Sequence, residues 1–154
     1  MTGKIATEIK QTKPLSLEAE AVLNIQRTAD HLSAAIGRVL KAADISASQF
    51  NVLRILRGAG KQGLACGEIG GRMVARDPDI TRLLDRLERR GVIERSRDSK
   101  DRRIVTTRIT DAGLRILKEL DRPVEKEVKR HLGRLGRERL TELIGALETV
   151  REPL

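Results

Sequence analysis

The sequence predicts a mainly α (α+β) fold, with about six helices and a two- to three-stranded sheet set among them. Three observations carry this prediction. Apolar residues recur at three- and four-residue steps through long stretches near both ends. Two short β-prone runs, residues 92–97 and 104–109, flank a charged loop. The length of 154 residues, 17.1 kDa, is that of a single domain able to bury a core of its own.

The elements follow in order. Residues 1–14 are polar and read as a flexible tail. Ser16 caps a first helix running to about Ala43, in which Ile25, Ala29, Leu32, Ile36 and Val39 recur at helical spacing and form one buried seam. At about 1.5 Å per residue this helix reaches roughly 40 Å, too long for a small domain to cover, so a partner subunit is the expected cover. Ser46 and Gln49 are spaced as a capping box, with Ile45 and Phe50 as hydrophobic staple. The second helix starts there, turns Phe50, Leu53 and Leu56 inward, and stops at Gly58-Ala59-Gly60.

Leu64-Ala65 suits a short edge strand, and a third helix is expected at about 66–74. It contains Gly67, Gly70 and Gly71, each costing about 1 kcal/mol relative to alanine, so close packing against a neighbouring helix is expected to hold it. Asp77-Pro78 supplies an N-cap followed by proline at the first helical position. Ile80, Leu83, Leu84 and Leu87 then form the core face of a fourth helix, about 77–90, closed by Gly91. The two β-prone runs make a hairpin tipped by Asp98-Ser99-Lys100-Asp101-Arg102-Arg103. Thr110 caps a fifth helix with Leu114, Leu117, Leu120, Val124 and Val128 inward, which Pro123 is expected to kink or divide. A sixth helix carries Leu140, Leu143, Ile144, Leu147 and Val150.

Composition narrows the function. The net charge is +9, with a pI near 10.4, and residues 72–108 hold 12 basic against 7 acidic groups. The middle of the chain is therefore the expected contact surface for a polyanion. Phe50 is the only aromatic residue, which excludes the stacking platforms that hold single-stranded nucleic acid and favours duplex DNA. A single cysteine, Cys66, makes no internal disulfide, and His31 and His131 lack ligand-like spacing, so neither a disulfide scaffold nor a zinc finger is expected. There is no paired Ser and His in plausible company and no phosphate-cradling glycine loop, so no enzyme and no cofactor are expected. No apolar run approaches the roughly 20 residues that span a bilayer, and the first 13 residues are polar rather than signal-like. A cytoplasmic, nucleoid-associated protein without membrane contact is expected.

A short helix, a turn, a second helix and an arginine-tipped hairpin make a winged helix-turn-helix, in which the second helix enters the major groove. In the fourth helix the core stripe leaves Pro78, Thr81, Arg82, Asp85 and Arg89 outward. Arg82 is the first candidate for a base or phosphate contact, because a guanidinium pairs bidentately with guanine or phosphate. Arg86 and Arg90 lie nearer the core flank, in structural or phosphate-facing positions. Arg102 and Arg103 are placed to reach a narrow minor groove, Lys100 adds nonspecific attraction, and Asp101 is expected to hold one of those arginines by a charge-assisted hydrogen bond. The expected DNA contacts are thus Pro78, Thr81, Arg82, Arg86, Arg89, Lys100, Arg102 and Arg103, with Asp101 positioning the wing.

Blander readings compete: a solvated arginine face with an Asp85–Arg89 pair, and an edge hairpin kept soluble by charge. At the level of function the alternatives are a winged-helix assembly module and a nonspecific DNA-coating protein. An assembly module exposes an apolar patch, whereas the fourth helix turns arginine, threonine and aspartate outward, which favours DNA.

The stretch Ile80-Thr81-Arg82-Leu83-Leu84-Asp85-Arg86-Leu87-Glu88-Arg89-Arg90-Gly91-Val92-Ile93, followed by Asp101-Arg102-Arg103 and Ile109-Thr110-Asp111-Ala112-Gly113, resembles the MarR family of transcriptional regulators. The resemblance runs from the first helix to the last and is most specific over residues 78–113. It implies a homodimer closed by the first helix and the last two, with two winged helices over successive major grooves of a pseudo-palindromic operator. On that division residues 45–109 are the DNA-binding lobe of a single 1–154 domain, and 15–44 and 110–154 are dimerisation helices. Family members mostly repress, often their own operon, and release DNA on binding a small phenolic effector or on cysteine oxidation. The sequence departs from the family at Ala65, where a Ser or Thr cap is usual, at Asp77-Pro78-Asp79, at Pro123, and in its scarcity of aromatic residues.

Overall fold

The structure is a computed structural model that describes residues 3–153. Helix starts are set by side-chain caps. Ser16 Oγ accepts from the Ala19 N–H at 3.2 Å and opens α2 (Leu17–Leu40). Ser46 and Gln49 make both halves of the capping box, at 3.1 and 3.0 Å, and open α3 (Ala47–Ala59). Thr110 accepts from the Gly113 N–H at 3.3 Å and opens α6 (Asp111–Leu132), which is followed by α7 (Gly136–Arg151).

Between α3 and α6 lie β1 (Leu64–Ala65), α4 (Cys66–Arg72), α5 (Ile80–Arg89), β2 (Ile93–Arg97) and β3 (Val105–Ile109). The strands form one antiparallel sheet in the order β1-β3-β2, with Leu64 opposite Thr107 and Arg95 opposite the same Thr107 from the other side. Six helices and the three-stranded sheet thus stand where the sequence puts them. The core sits where α3, α4, α5 and α6 meet the sheet: Leu40, Leu53, Leu56, Ile69, Leu87 and Leu117 are fully buried.

Several expectations need correction. The polar tail contains α1 (Lys4–Glu8), and Ile5 and Ala6 are buried, so two apolar side chains anchor a segment that otherwise reads as tail; Met1 and Thr2 lie outside the described residues. The seam of α2 is only half buried within one chain. Of its residues Leu32, Ile36 and Val39 are half-buried and Ile25 and Ala29 exposed, while the buried residues of α2, Ala35 and Leu40, stand beside that stripe; Val22 is exposed too, as are Leu143, Ile144 and Val150 on α7. Pro123 does not divide α6. Buried Leu120 and Val124 flank it, and Asp121 takes a bidentate ion pair from Arg57 of α3 at 2.8 and 3.1 Å. Packing and this pair together offset the roughly 3 kcal/mol that an interior proline costs.

The glycines of α4 are not explained by close packing either. A Cβ at Gly67, Gly70 or Gly71 meets nothing within 4 Å. The helix is held instead by fully buried Ile69, by the Glu68 carboxylate accepting from the Ala65 N–H at 3.3 Å, the half of a capping box that needs no hydroxyl, and by the Val74 N–H donating to Asn51 Oδ1 at 2.8 Å. Gly113 is the opposite case. A Cβ there falls 2.4 Å from the Val92 carbonyl oxygen and 2.7 Å from Ile109 Cγ1, so α6 leaves the sheet at a distance that only glycine allows. Among the described residues, no helix is long and apolar enough to cross a membrane.

Two alanine substitutions should therefore act in opposite directions in urea unfolding. Gly70→Ala should stabilise by up to about 1 kcal/mol, and Gly113→Ala should destabilise by about 1–3 kcal/mol. Equal effects at the two positions would contradict the packing described.

Candidate nucleic-acid interface

The turn leading into α5 is built by two aspartates with separate tasks. Asp77 Oδ1 accepts from the Asp79 N–H at 2.9 Å, a side-chain-closed turn around Pro78. Asp79 then caps the helix, accepting from the Arg82 N–H at 3.2 Å. The helix thus begins at Ile80, two residues later than expected, and Pro78 lies in the turn before it rather than at its first position. Asp77 bonds its own turn two residues on and so is not available as the cap.

α5 buries Leu83, Leu84 and Leu87 and leaves Thr81, Arg82, Arg86 and Arg89 exposed on its outer side, beside exposed Pro78. Arg82 Nε lies 3.2 Å from Asp79 Oδ2, with 77% of the arginine side chain open to solvent. Arg90 is structural: its guanidinium donates to the carbonyls of Ala43 and Asp44, tying the end of α5 to the chain just before α3.

The Asp85–Arg89 pair of the blander reading does not form; Asp85 belongs to a larger arrangement. Arg95 of β2 donates from Nε and Nη2 to Glu88 Oε2 at 2.8 and 2.5 Å, and from Nη2 to Asp85 Oδ1 at 2.5 Å. Its main-chain N–H also donates to Glu88 Oε1 at 3.2 Å. One guanidinium thereby joins α5 to β2 and engages two of the helix's carboxylates, offsetting one of their two negative charges. Hydrogen bonding from Arg95 holds the Glu88 carboxyl below its ordinary value of 4.5, and the same pairing, to Glu88 first, raises Arg95.

At the wing tip Lys100, Asp101, Arg102 and Arg103 are all exposed. Asp101 does not hold a guanidinium; its Oδ1 accepts from the Arg103 main-chain N–H at 3.0 Å. A carboxylate two residues upstream reaches the backbone more readily than the end of a long side chain. Asp98 works the same way, accepting from the Lys100 and Asp101 N–H groups at 2.6 and 3.1 Å. These two bonds lower the Asp98 carboxyl below its ordinary value, the Lys100 N–H contributing most. Arg97 closes the loop by donating to the Arg102 carbonyl at 3.2 Å. The tip is therefore a peptide loop pinned from inside by two aspartates, with the side chains of Lys100, Arg102 and Arg103 left outward.

Sequence reasoning missed Asp98, Arg97, Glu88 and Arg95. An aspartate opening a polar loop is itself a turn signal, so Asp98 was findable; the partners of Arg95 lie seven and ten residues away on a separate element and carry no local signature. Elsewhere, α2 and α6 bring the His31 and His131 rings to 5.1 Å between centroids, with His131 Nε2 at 3.1 Å from Glu127 Oε1. Among the described residues, no group of three or more His, Cys, Asp or Glu is arranged to hold a metal ion. Cys66 is half-buried and free. A cleft of about 300 Å³ opens between α3 and α6, lined by Phe50, Arg54, Asp121, Val124, Val128 and Lys129 among others.

Comparison with known proteins gives a consistent result. A sequence model of the MarR family matches residues 45–105, the stretch from the start of α3 to the wing. YsmB, an uncharacterised HTH-type transcriptional regulator of Bacillus subtilis, is 33% identical over 113 residues, covering 71% of this chain and 73% of its own length. The crystal structure of a MarR transcription factor from Planctomyces limnophilus is 41% identical, covers 89% of this chain and 99% of its own, and superposes with a TM-score of 0.68. A mutant MarR from E. coli, complexed with operator DNA, is 25% identical over 83% of this chain and 91% of its own, with a TM-score of 0.75.

The Arg95 clamp predicts a pH signature. Because the Glu88 carboxyl is held below its ordinary value of 4.5 in the folded chain, its contribution is fully present above that pH and is lost as pH falls through the folded value. Arg95→Met should therefore cost about 1–2 kcal/mol at pH 7, the partners being partly solvated, and the gap to wild type should close below pH 4.5. A gap independent of pH, measured by urea unfolding, would contradict the pairing.

Proposed function

The chain belongs to the MarR family of helix-turn-helix transcriptional regulators, and on that premise we propose that it is a homodimeric repressor reading a pseudo-palindromic DNA operator. α5 lies in the major groove, where Thr81 and Arg82 meet base edges and Pro78, Arg86 and Arg89 meet the sugar–phosphate backbone. The wing lies over the adjacent minor groove with Arg102 and Arg103 inward, Lys100 adding long-range attraction and Asp101 keeping the tip in shape. The chain works on the nucleoid in the cytoplasm, as a regulator and not as a catalyst.

One observation carries this proposal. α5 turns three arginines and a threonine outward while two of its carboxylates, Asp85 and Glu88, are taken up by Arg95, so its outer side faces solvent as a basic surface in a fixed relation to the wing. That the E. coli relative is complexed with operator DNA supports duplex DNA as the partner. The apolar residues that α2 and α7 leave exposed, Val22, Ile25, Leu143, Ile144 and Val150, support a twofold partner that covers them. A small-molecule effector acts at the cleft between α3 and α6, where movement of α6 against the DNA-binding lobe alters the spacing of the two α5 helices.

Selection of bound duplexes from a random pool tests the proposal. The expected product is an inverted repeat with half-sites about one helical turn apart, bound roughly a thousandfold more tightly than a scrambled duplex. Salt-sensitive binding without sequence preference would instead support a DNA-coating protein, and no binding at all an assembly module. Arg82→Ala should weaken operator binding by about 1–3 kcal/mol and relax specificity at one position. Arg103→Ala should lower affinity while sedimentation still shows the dimer; loss of the dimer in that variant would place Arg103 on a different surface.

A further inference from the structure

We propose that Asp79 is a positioning residue for base reading, buttressing Arg82 so that its guanidinium approaches a guanine end-on through Nη1 and Nη2. This rests on the assignment of α5 to the major groove made above. Asp79 is held from both sides. Its N–H donates to Asp77 Oδ1 at 2.9 Å, fixing the main chain, and its Oδ1 accepts from the Arg82 N–H at 3.2 Å, fixing one edge of the carboxylate. The other oxygen, Oδ2, lies 3.2 Å from Arg82 Nε.

An arginine recognises guanine O6 and N7 with two donors, either both terminal nitrogens or Nε with one of them. A carboxylate oxygen 3.2 Å from Nε stands at the edge that the second option uses, which leaves the two terminal nitrogens as the unobstructed pair. With 77% of its side chain exposed, Arg82 carries those donors outward into solvent. The cost is electrostatic, because a carboxylate beside DNA repels phosphate and lowers affinity for every sequence alike. Asp79 thus exchanges general affinity for choice of base. This gives a task to the Asp77-Pro78-Asp79 segment, which departs from the usual family pattern: Asp77 places Asp79, and Asp79 places Arg82.

The full chain tests this against the duplex that the wild type selects from a random pool and its single-position variants. Arg82→Ala should erase discrimination of roughly 5- to 150-fold at one guanine, the range one bidentate arginine–guanine pair confers. Asp79→Asn should lower discrimination at that same guanine by at least about threefold while binding to scrambled duplex holds or tightens. Because asparagine and serine also cap helices, helix content by circular dichroism should not change, and Asp79→Ser should reproduce the loss. The double variant Asp79→Asn, Arg82→Ala should be no less selective than Arg82→Ala alone.

Wild-type discrimination in both Asp79 variants would overturn the buttress and leave the groove assignment intact. A further loss from Asp79→Asn in the Arg82→Ala background would also overturn it, by showing that Asp79 reads a base itself. Unchanged discrimination in Arg82→Ala, or a pool that yields no preferred duplex, would remove the base-reading assignment and the buttress with it.

Discussion

Arg95 ties α5 to β2 by side-chain bonds in addition to the short 90–92 connection and the shared core. A helix packed by three leucines along one stripe can rotate and slide by small amounts, and a two-stranded wing beyond the sheet edge can bend. The four hydrogen bonds that Arg95 makes to Asp85 and Glu88 fix α5 against β2 at the point where both leave the core. The chemistry is matched to the position. Arginine keeps its charge at every physiological pH and offers a planar fork to two carboxylates at once, which a lysine does not. The ion pairs are partly solvated, so their worth lies in geometry more than in net stability.

The same contact shapes the field of the site. The middle of the chain is the most basic part of the sequence, yet acidic residues are scattered through it. In the folded chain most of them are occupied: Asp85 and Glu88 on Arg95, Asp98 and Asp101 on main-chain N–H groups of the wing tip, Asp77 and Asp79 at the start of α5. Arg82, Arg86, Arg89, Arg102 and Arg103 remain exposed. Negative charge is spent on shaping the backbone and positive charge is left for a partner. An excess of nine positive charges summed over the chain does not by itself produce a focused surface; this sorting does.

The rest of the molecule is organised around a different shortage. The core of the lobe formed by residues 45–109 is closed, with Leu53, Leu56, Leu84 and Leu87 sealed inside. By contrast α2 and α7 are long amphipathic helices whose apolar positions are only partly covered by one chain. The Arg57–Asp121 pair and the packing of α6 on α3 connect this half to the lobe. α3 in turn packs against α4 and α5.

The sequence by itself determined what depends on neighbours close along the chain. The capping box at Ser46 and Gln49, the cap at Thr110, the leucine stripe of α5 and the hairpin around a polar loop are all signals spanning a few residues, and each appears where it was read. Errors arose where a local rule had a near competitor. Asp77 and Asp79 both suit a cap, and only the turn around Pro78 decides between them. Ile5 and Ala6 convert a polar tail into a docked helix. Pro123 breaks helices as a rule, but packing on both sides and the Arg57 pair keep this one whole. Tertiary structure alone decided the partner of Arg95, the meeting of His31 with His131, and the need for glycine at 113 but not at 70. Each of these depends on atoms brought together by folding from distant positions or separate elements, and distance through space leaves no period or spacing for a single sequence to reveal.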